Sequence, residues 1–126
     1  MLHPNFGNDR PAPDVQTQPY VELLHWRILQ RGNGTLHIAV QLASGSFRLT
    51  STLIAIDLQR ALVRTESGRC YHLLAAPEED ELLRSVMDVH AARELVVVSS
   101  DVSDTIWRAI SAGSWSAEGV LLPPFQ

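Results

Sequence analysis

Apolar and polar residues alternate from Tyr20 onwards, which is the pattern of a β-strand with one buried face. On both sides of Gly32-Asn33-Gly34 a set of apolar residues stands at even-numbered positions, and it consists of Tyr20, Leu24, Trp26, Ile28, Leu36, Ile38, Val40 and Leu42. A three-residue loop would pair Ile28 with Ile38 and Trp26 with Val40, so that both sets face the same side. A two-residue loop would put them on opposite sides. The pattern therefore predicts a hairpin closed by three residues.

A second hairpin is predicted around Glu66-Ser67-Gly68. Two β-prone runs flank this turn, and its glycine can adopt the positive φ angle that a three-residue loop requires. In this register Val63 lies opposite Tyr71 and faces the core, while Cys70 points outward. A slip of one residue would bury the cysteine instead. We expect the inward side of this hairpin to contact the helix that follows it.

The stretch between the two hairpins changes its pattern near Ser51. Apolar residues alternate with polar ones up to Leu49 and then run continuously at 53–56, which is typical of a bulge or bend. Residues 52–64 fit either a helix with one apolar side or two strands joined by a turn at 57–60. The many β-branched residues favour strand, turn and strand.

A helix is predicted over residues 77–92. Pro77 suits a first helical turn, where its missing N–H is not needed, and the acidic run 78–81 suits the positive end of the helix dipole. The apolar stripe at helical spacing consists of Leu82, Leu83, Val86, Met87 and His90. A helix with one apolar stripe must cover an apolar surface, and we expect that surface to be the sheet.

The remaining chain predicts a strand, a short helix and a tail. The apolar run at 95–98 is typical of a strand that is covered on both faces, and a strand at 95–99 would extend the sheet. Ser103-Asp104 can cap a short helix that ends near Gly113. From Trp115 the chain is apolar and rich in proline.

Together these elements predict an α+β fold. We expect an antiparallel meander of five strands between Tyr20 and Leu74, or six with the strand at 95–99, either open or curled towards a partly open barrel, with one main helix on one face. Residues 1–19 contain four prolines and form an irregular N-terminal lead-in. Residues 20–126 form a single α+β domain with an apolar C-terminal tail. A chain of 126 residues, 45% of them hydrophobic, is long enough for one such core.

Composition excludes several classes of function. All ten positively charged side chains are arginine, which rules out Schiff-base chemistry, a pyridoxal-phosphate anchor and a P-loop lysine. This Arg bias is typical of a GC-rich bacterial genome. The net charge of -4 argues against non-specific nucleic-acid binding. A single cysteine excludes an internal disulfide, and no apolar run is long enough to span a membrane, so a cytoplasmic location is expected.

Candidate catalytic and metal-binding residues are few. Cys70 and His72 share one strand face and form a weak candidate for nucleophilic catalysis. In the predicted register His25 and His37 lie on one face but four residues apart, roughly 13 Å at strand rise, which is too far to share a zinc ion. We therefore predict neither a metal site nor a cofactor.

The outward positions of the strands form a surface rich in Arg and His. If the even-numbered side is the core, this surface contains Arg27, Arg48, Arg64, His25 and His37 and no carboxylate. The acidic residues gather at the start of the predicted helix instead. Such segregation can create a local positive surface despite the negative total charge. These five residues are the candidate binding residues.

The sequence contains no recognisable catalytic constellation, so the leading hypothesis is a non-catalytic protein-interaction module. We expect it to form a homodimer and to bind a protein partner through the Arg/His surface. The alternative is binding of an anionic ligand or nucleic acid there, with nucleic acid disfavoured because the surface lacks aromatic residues for base stacking. The third hypothesis is a small enzyme that uses Cys70 and His72, which would require a concave pocket around them.

Overall fold

The structure is a computed structural model that describes residues 18–94, 98–117 and 119–125. It is an α+β fold with two four-stranded sheets, mostly antiparallel, and two helices. The elements are β1 (Tyr20–Leu23), β2 (His25–Arg31), β3 (Leu36–Gln41), β4 (Phe47–Leu49), β5 (Leu53–Asp57), β6 (Leu62–Thr65), β7 (Cys70–Leu73), α1 (Glu81–Glu94), β8 (Val98–Asp101) and α2 (Ser103–Ala112). Within the described residues no helix has the length and apolar character needed to cross a membrane.

The first sheet has the strand order β4-β3-β2-β8 and contains the first predicted hairpin. Ile28 pairs with Ile38 and Trp26 pairs with Val40, as predicted. Gly34 has a φ angle of +93°, and its N–H donates to the carbonyl of Arg31 across the loop. The predicted three-residue loop and its register are therefore confirmed.

The second sheet has the strand order β1-β7-β6-β5 and contains the second predicted hairpin. Val63 pairs with Tyr71, and Gly68 closes the loop with a φ angle of +94°. Cys70 lies on the outer side and is half-buried. The prediction of strand, turn and strand for residues 52–64 is also confirmed, since β5 and β6 form an antiparallel pair.

The single meander predicted from the sequence is divided between these two sheets. A bend at Leu24 separates β1 from β2, and β1 pairs in parallel with β7 instead of pairing with β2. The chain changes sheets again between β4 and β5, at Ser51. The break in parity near Ser51 therefore marks a crossing between sheets, while the register shift lies between Leu53 and Ala55.

The main core lies between the two sheets. It includes Trp26, Ile28, Ile38, Val40, Leu23, Val63, Tyr71, Leu73, Ile106 and Leu122. Ile106 comes from α2 and Leu122 from the C-terminal tail. The inward side of the second hairpin thus meets the first sheet and α2, and not α1 as predicted. The tail docks on its own chain, because the Pro123 carbonyl also accepts the N–H of Ile56 at 2.9 Å.

A second, smaller core lies between α1 and the other face of the first sheet. Leu29, Ala39, Phe47, Met87 and Ala91 form this cluster. The first sheet is therefore covered on both faces. The prediction that its odd-numbered side faces solvent is wrong, because α1 packs on that side.

The helix α1 begins later than predicted. Its first residue is Glu81 rather than Pro77, because the Asp80 carboxylate accepts the N–H of Leu83 at 2.9 Å and caps the first turn. The N–H of Glu78 donates to the Trp26 carbonyl at 3.0 Å. This bond fixes the preceding segment to β2 and keeps it out of the helix.

The elements after α1 also differ in detail from the prediction. Residues 95–97 lie outside the described residues, and β8 is exposed along its whole length, so the described part of the predicted strand is not covered on both faces. The helix α2 ends at a left-handed Gly113, as predicted. Ser103 does not cap it, because the Ser103 hydroxyl accepts the N–H of Ile28 at 2.7 Å.

Candidate functional site

The five candidate binding residues do not lie on one exposed surface. Arg27 and His37 are buried, and Arg48 is only 8% exposed. Arg48 lies directly opposite Val40, so it shares the side of the sheet that faces the main core. Arg27 lies opposite Ala39 on the α1 side. The predicted continuous Arg/His surface is therefore wrong, since its residues are divided between the two sides of the first sheet and the outer side of the second sheet.

Arg27 is the centre of a structural ion-pair network. Its guanidinium donates to both oxygens of the Asp101 carboxylate, from Nε at 3.0 Å and from Nη2 at 2.9 Å, and to the Glu78 carbonyl at 3.1 Å. Partial burial raises the pKa of Asp101. Hydrogen bonds from Arg27 and Ser103 together lower that pKa by a larger amount, so the pKa of Asp101 is below its usual value. This carboxylate, from β8, joins β2 to the start of α2.

His25 and His37 are both held by local partners. The Nδ1 atom of His25 lies 2.6 Å from Glu78 Oε1, and this hydrogen bond is the main reason why the pKa of Glu78 is lowered. The ring nitrogens of His37 lie 3.0 Å from the Thr50 carbonyl and 3.0 Å from the Thr35 hydroxyl. Across residues 18–94, 98–117 and 119–125, no group of three His, Cys, Asp or Glu side chains is arranged to hold a metal ion.

Arg64, Cys70 and His72 lie on the outer side of the second sheet. Cys70 stands between Tyr20 and Arg64 in the strand register. The Tyr20 hydroxyl lies 2.7 Å from Nδ1 of His72, at an exposed position. The guanidinium carbon of Arg64 lies 4.2 Å from the centre of the Phe125 ring, a cation–π contact with the tail.

Two of the clefts on the described surface lie beside α1 and beside the C-terminal tail, and neither is lined by Cys70 or His72. One, of about 430 Å³, lies between α1 and β8, with Arg84, Asp88 and Asp101 in its walls. The other, of about 500 Å³, lies between the turn after β5 and the C-terminal tail, with Trp115 and Phe125 in its walls. The Cys/His pair thus belongs to an outer sheet surface and not to either cleft.

The most distinctive surface feature is a row of apolar side chains on the outer side of α1. Leu82 is 76% exposed, Val86 39% and Val89 57%, and their spacing of four and then three residues places them in one line along the helix. We call these three residues the α1 stripe. They are directed away from the sheet, while Met87 and Ala91 of the same helix are buried against it.

The sequence interpretation missed this surface by merging two apolar faces into one. It assigned Leu82 and Val86 to the buried side together with Leu83 and Met87. The adjacent pairs were the signal, because neighbouring helical residues point about 100° apart and so widen the apolar arc beyond one contact face. The width of the arc indicates a helix with apolar groups left over after it has packed on its sheet.

In comparisons with known proteins, no family model, no curated protein and no solved structure matched the chain.

Proposed function

We propose that this chain is a non-catalytic protein-interaction module and that the α1 stripe is its contact surface. The observation that supports this most is the exposure of Leu82, Val86 and Val89 in one row. Single exposed apolar residues are common on soluble proteins, whereas a contiguous apolar row is typical of a contact site. The proposal keeps the protein-binding role expected from the sequence but moves it away from the Arg/His residues. A cytoplasmic location is part of the proposal.

The occupant we propose for the α1 stripe is a second copy of the same chain. Leu82 and Val89 lie at equal separations in sequence from the point between Ser85 and Val86. In an antiparallel pair of α1 helices, each Leu82 would meet Val89 of the second copy. Such a contact is self-complementary, as a twofold interface requires.

The charges at the two ends of α1 favour the antiparallel arrangement. Glu79, Asp80 and Glu81 are exposed at its start, and Arg93 is in its last turn. An antiparallel pair places the acidic end of each helix beside Arg93 of the other and opposes the two helix dipoles. A parallel pair would bring the two acidic ends together.

The expected dimer is weak. The α1 stripe extends over about two helical turns, and a contact formed by two turns from each chain falls below the area of about 1,200 Å² at which stable interfaces begin. We therefore expect dissociation constants in the micromolar range or weaker. Sedimentation velocity across a wide concentration range is the appropriate measurement.

The decisive variant is Val86→Glu, with Ser111→Glu on the exposed side of α2 as the matched control. The wild type and the control should show a concentration-dependent shift from monomer to dimer, and Val86→Glu should remain a monomer because it buries a charge in the contact. Far-ultraviolet circular dichroism confirms that each variant is folded. A wild type that stays monomeric at every concentration, or a Val86→Glu variant that dimerises like the control, would refute the proposal.

A further inference from the structure

Arg48 is a buried cation whose hydrogen bonds are incomplete. It lies in β4, at one edge of the first sheet, and is more than nine-tenths buried. Its Nη1 donates to the Tyr71 hydroxyl at 3.4 Å, and its Nη2 donates to the Gln18 side-chain oxygen at 3.3 Å. Its Nε is buried and has no hydrogen-bond partner among the described residues. Both existing bonds are at the long end of the range for such contacts.

Arg27 provides the internal comparison. It is also buried, yet it makes two bonds of 2.9–3.0 Å to a carboxylate and a third to a carbonyl. Charge-assisted bonds between guanidinium and carboxylate normally have such lengths. For Arg48, no carboxylate oxygen among the described residues lies within 4.0 Å of the guanidinium. The same sheet thus holds one neutralised guanidinium and one that has only neutral partners.

A buried guanidinium cannot lower the free-energy cost of its burial by losing a proton, because arginine stays charged in proteins. Removing such a charge from water is unfavourable unless an opposite charge and well-formed hydrogen bonds compensate it. The neutral oxygens of Tyr71 and Gln18 supply only part of that compensation. Within the part of the chain that the structure describes, the site lacks a negative charge.

We propose that Arg48, Tyr71 and Gln18 form a binding site for one anionic group, a carboxylate or a phosphate. The planar fork of the guanidinium fits two oxygens of such a group. The Tyr71 hydroxyl accepts from Arg48 and so keeps its own proton to donate to the anion. Gln18 is half-buried and precedes β1, so its side chain can rotate without breaking the strand pairing.

A second buried guanidinium lies beside Gln18. Nε of Arg69, which is also buried, donates to the Gln18 carbonyl at 2.8 Å. Two guanidinium groups therefore meet the same residue from different directions.

The test is thermal unfolding of the full chain with inorganic phosphate or acetate as the probe, at constant ionic strength. The variants are Arg48→Met and, as the matched control, Arg60→Met, whose side chain is exposed. Phosphate at a hundredfold excess over its dissociation constant should raise the Tm of the wild type and of Arg60→Met by about 5 °C or more. Arg48→Met should show no such rise.

A second variant keeps the test valid if Arg48→Met does not fold. Tyr71→Phe retains the buried ring and removes only the hydroxyl, and it should weaken phosphate binding about tenfold. Equal Tm shifts in the wild type, Arg48→Met and Tyr71→Phe would overturn the proposal, because the anion would then act elsewhere. If Arg48→Met folds, the Tm shift of that variant with phosphate is sufficient to test the proposal. A wild type whose Tm rises with neither phosphate nor acetate would also overturn the proposal.

Discussion

The two helices of this protein use their apolar residues in different ways. The helix α2 buries Ile106 and Ala109 against the main core, and its fully exposed positions carry polar, charged or small residues. The helix α1 buries Met87 and Ala91 but leaves the α1 stripe in solvent. Packing on the sheet therefore accounts for all the large apolar residues of α2 and for only part of those of α1.

The difference follows from what each helix lies on. The helix α2 lies beside β2 and contributes to the core between the two sheets, whereas α1 lies on β3 and β4 and leaves the α1 stripe exposed on its other side. Residues on the far side of α1 have no role in the fold that the described residues reveal. The α1 stripe does not contribute to the core, and exposing it to water is unfavourable. We therefore expect a partner to bind there.

The largest effect on stability should come from the carboxylate that supports both helices. Asp101 accepts the N–H of Ser103 at the start of α2 at 3.0 Å and lies 3.9 Å from Arg84 of α1. Replacing it in Asp101→Ala leaves the buried Arg27 with only the exposed Glu79 carboxylate, 3.9 Å away, among the described residues, and should cost about 3–5 kcal/mol. Asp88→Ala, at an exposed position of α1, is the control and should cost less than about 0.5 kcal/mol. Urea unfolding measures both, and equal costs would mean that Asp101 has no special role.

The next effect separates the buried side of α2 from the α1 stripe. Ile106→Ala should cost about 2–5 kcal/mol, because it opens a cavity in the main core. Val89→Ala should change the free energy of unfolding of the monomer by less than about 0.5 kcal/mol. Both are measured in urea at a protein concentration below that of dimerisation. If Val89→Ala is as costly as Ile106→Ala, then Val89 belongs to the core and the comparison between the helices fails.

Lowering the pH should weaken the hydrogen bonds and ion pairs of Asp101 and Glu78 before it affects the packing of the helices. The pKa of Asp101 and the pKa of Glu78 are lower in the folded chain than their usual values. Each carboxylate therefore contributes stability that is complete above its usual pKa and is lost as the pH falls through the folded pKa. We expect this contribution to be constant from pH 7 to pH 5 and to decline below about pH 4. Asp101→Ala should show a flatter decline, and an unchanged pH profile would contradict the role of this carboxylate.

The smallest effect on stability should come from the α1 stripe itself. Val86→Glu should change the free energy of unfolding of the monomer by less than about 0.5 kcal/mol, because the side chain projects into solvent. The same substitution should abolish association. Thermal unfolding at low and high protein concentration separates the two effects, since only the wild type should become more stable as concentration rises. A Val86→Glu variant whose Tm also rises with concentration would contradict this.

Local features of the fold were predictable from the sequence, and non-local ones were not. The registers of both hairpins follow from side-chain parity and a turn glycine, which act within a few residues. The parallel pairing of β1 with β7 joins Tyr20 to Cys70, and no local pattern specifies a partner so distant. Both Pro77 and Asp80 are residues that can begin a helix. The helix α1 begins after Asp80 because the hydrogen bond from Glu78 to β2 holds residues 77 and 78 outside it.

The candidate binding residues illustrate the same limit. An arginine that alternates with apolar residues in a strand resembles a solvent-exposed one, so Arg27 and Arg48 were both expected outside. The carboxylate that neutralises Arg27 comes from Asp101, 74 residues away. Only the assembled sheet shows that Arg27 has such a partner and that Arg48 has none among the described residues.

The most direct test of the central claim is a covalent trap at the middle of the α1 stripe. Ser85→Cys in a Cys70→Ser background places one thiol per chain near the proposed twofold axis, where two copies can approach to disulfide distance. Ser111→Cys in the same background places the thiol on the exposed side of α2. We predict that mild oxidation converts most of the Ser85→Cys protein to a covalent dimer on non-reducing gels and leaves Ser111→Cys largely monomeric. Equal yields from the two positions would contradict the assignment of the α1 stripe as the interface.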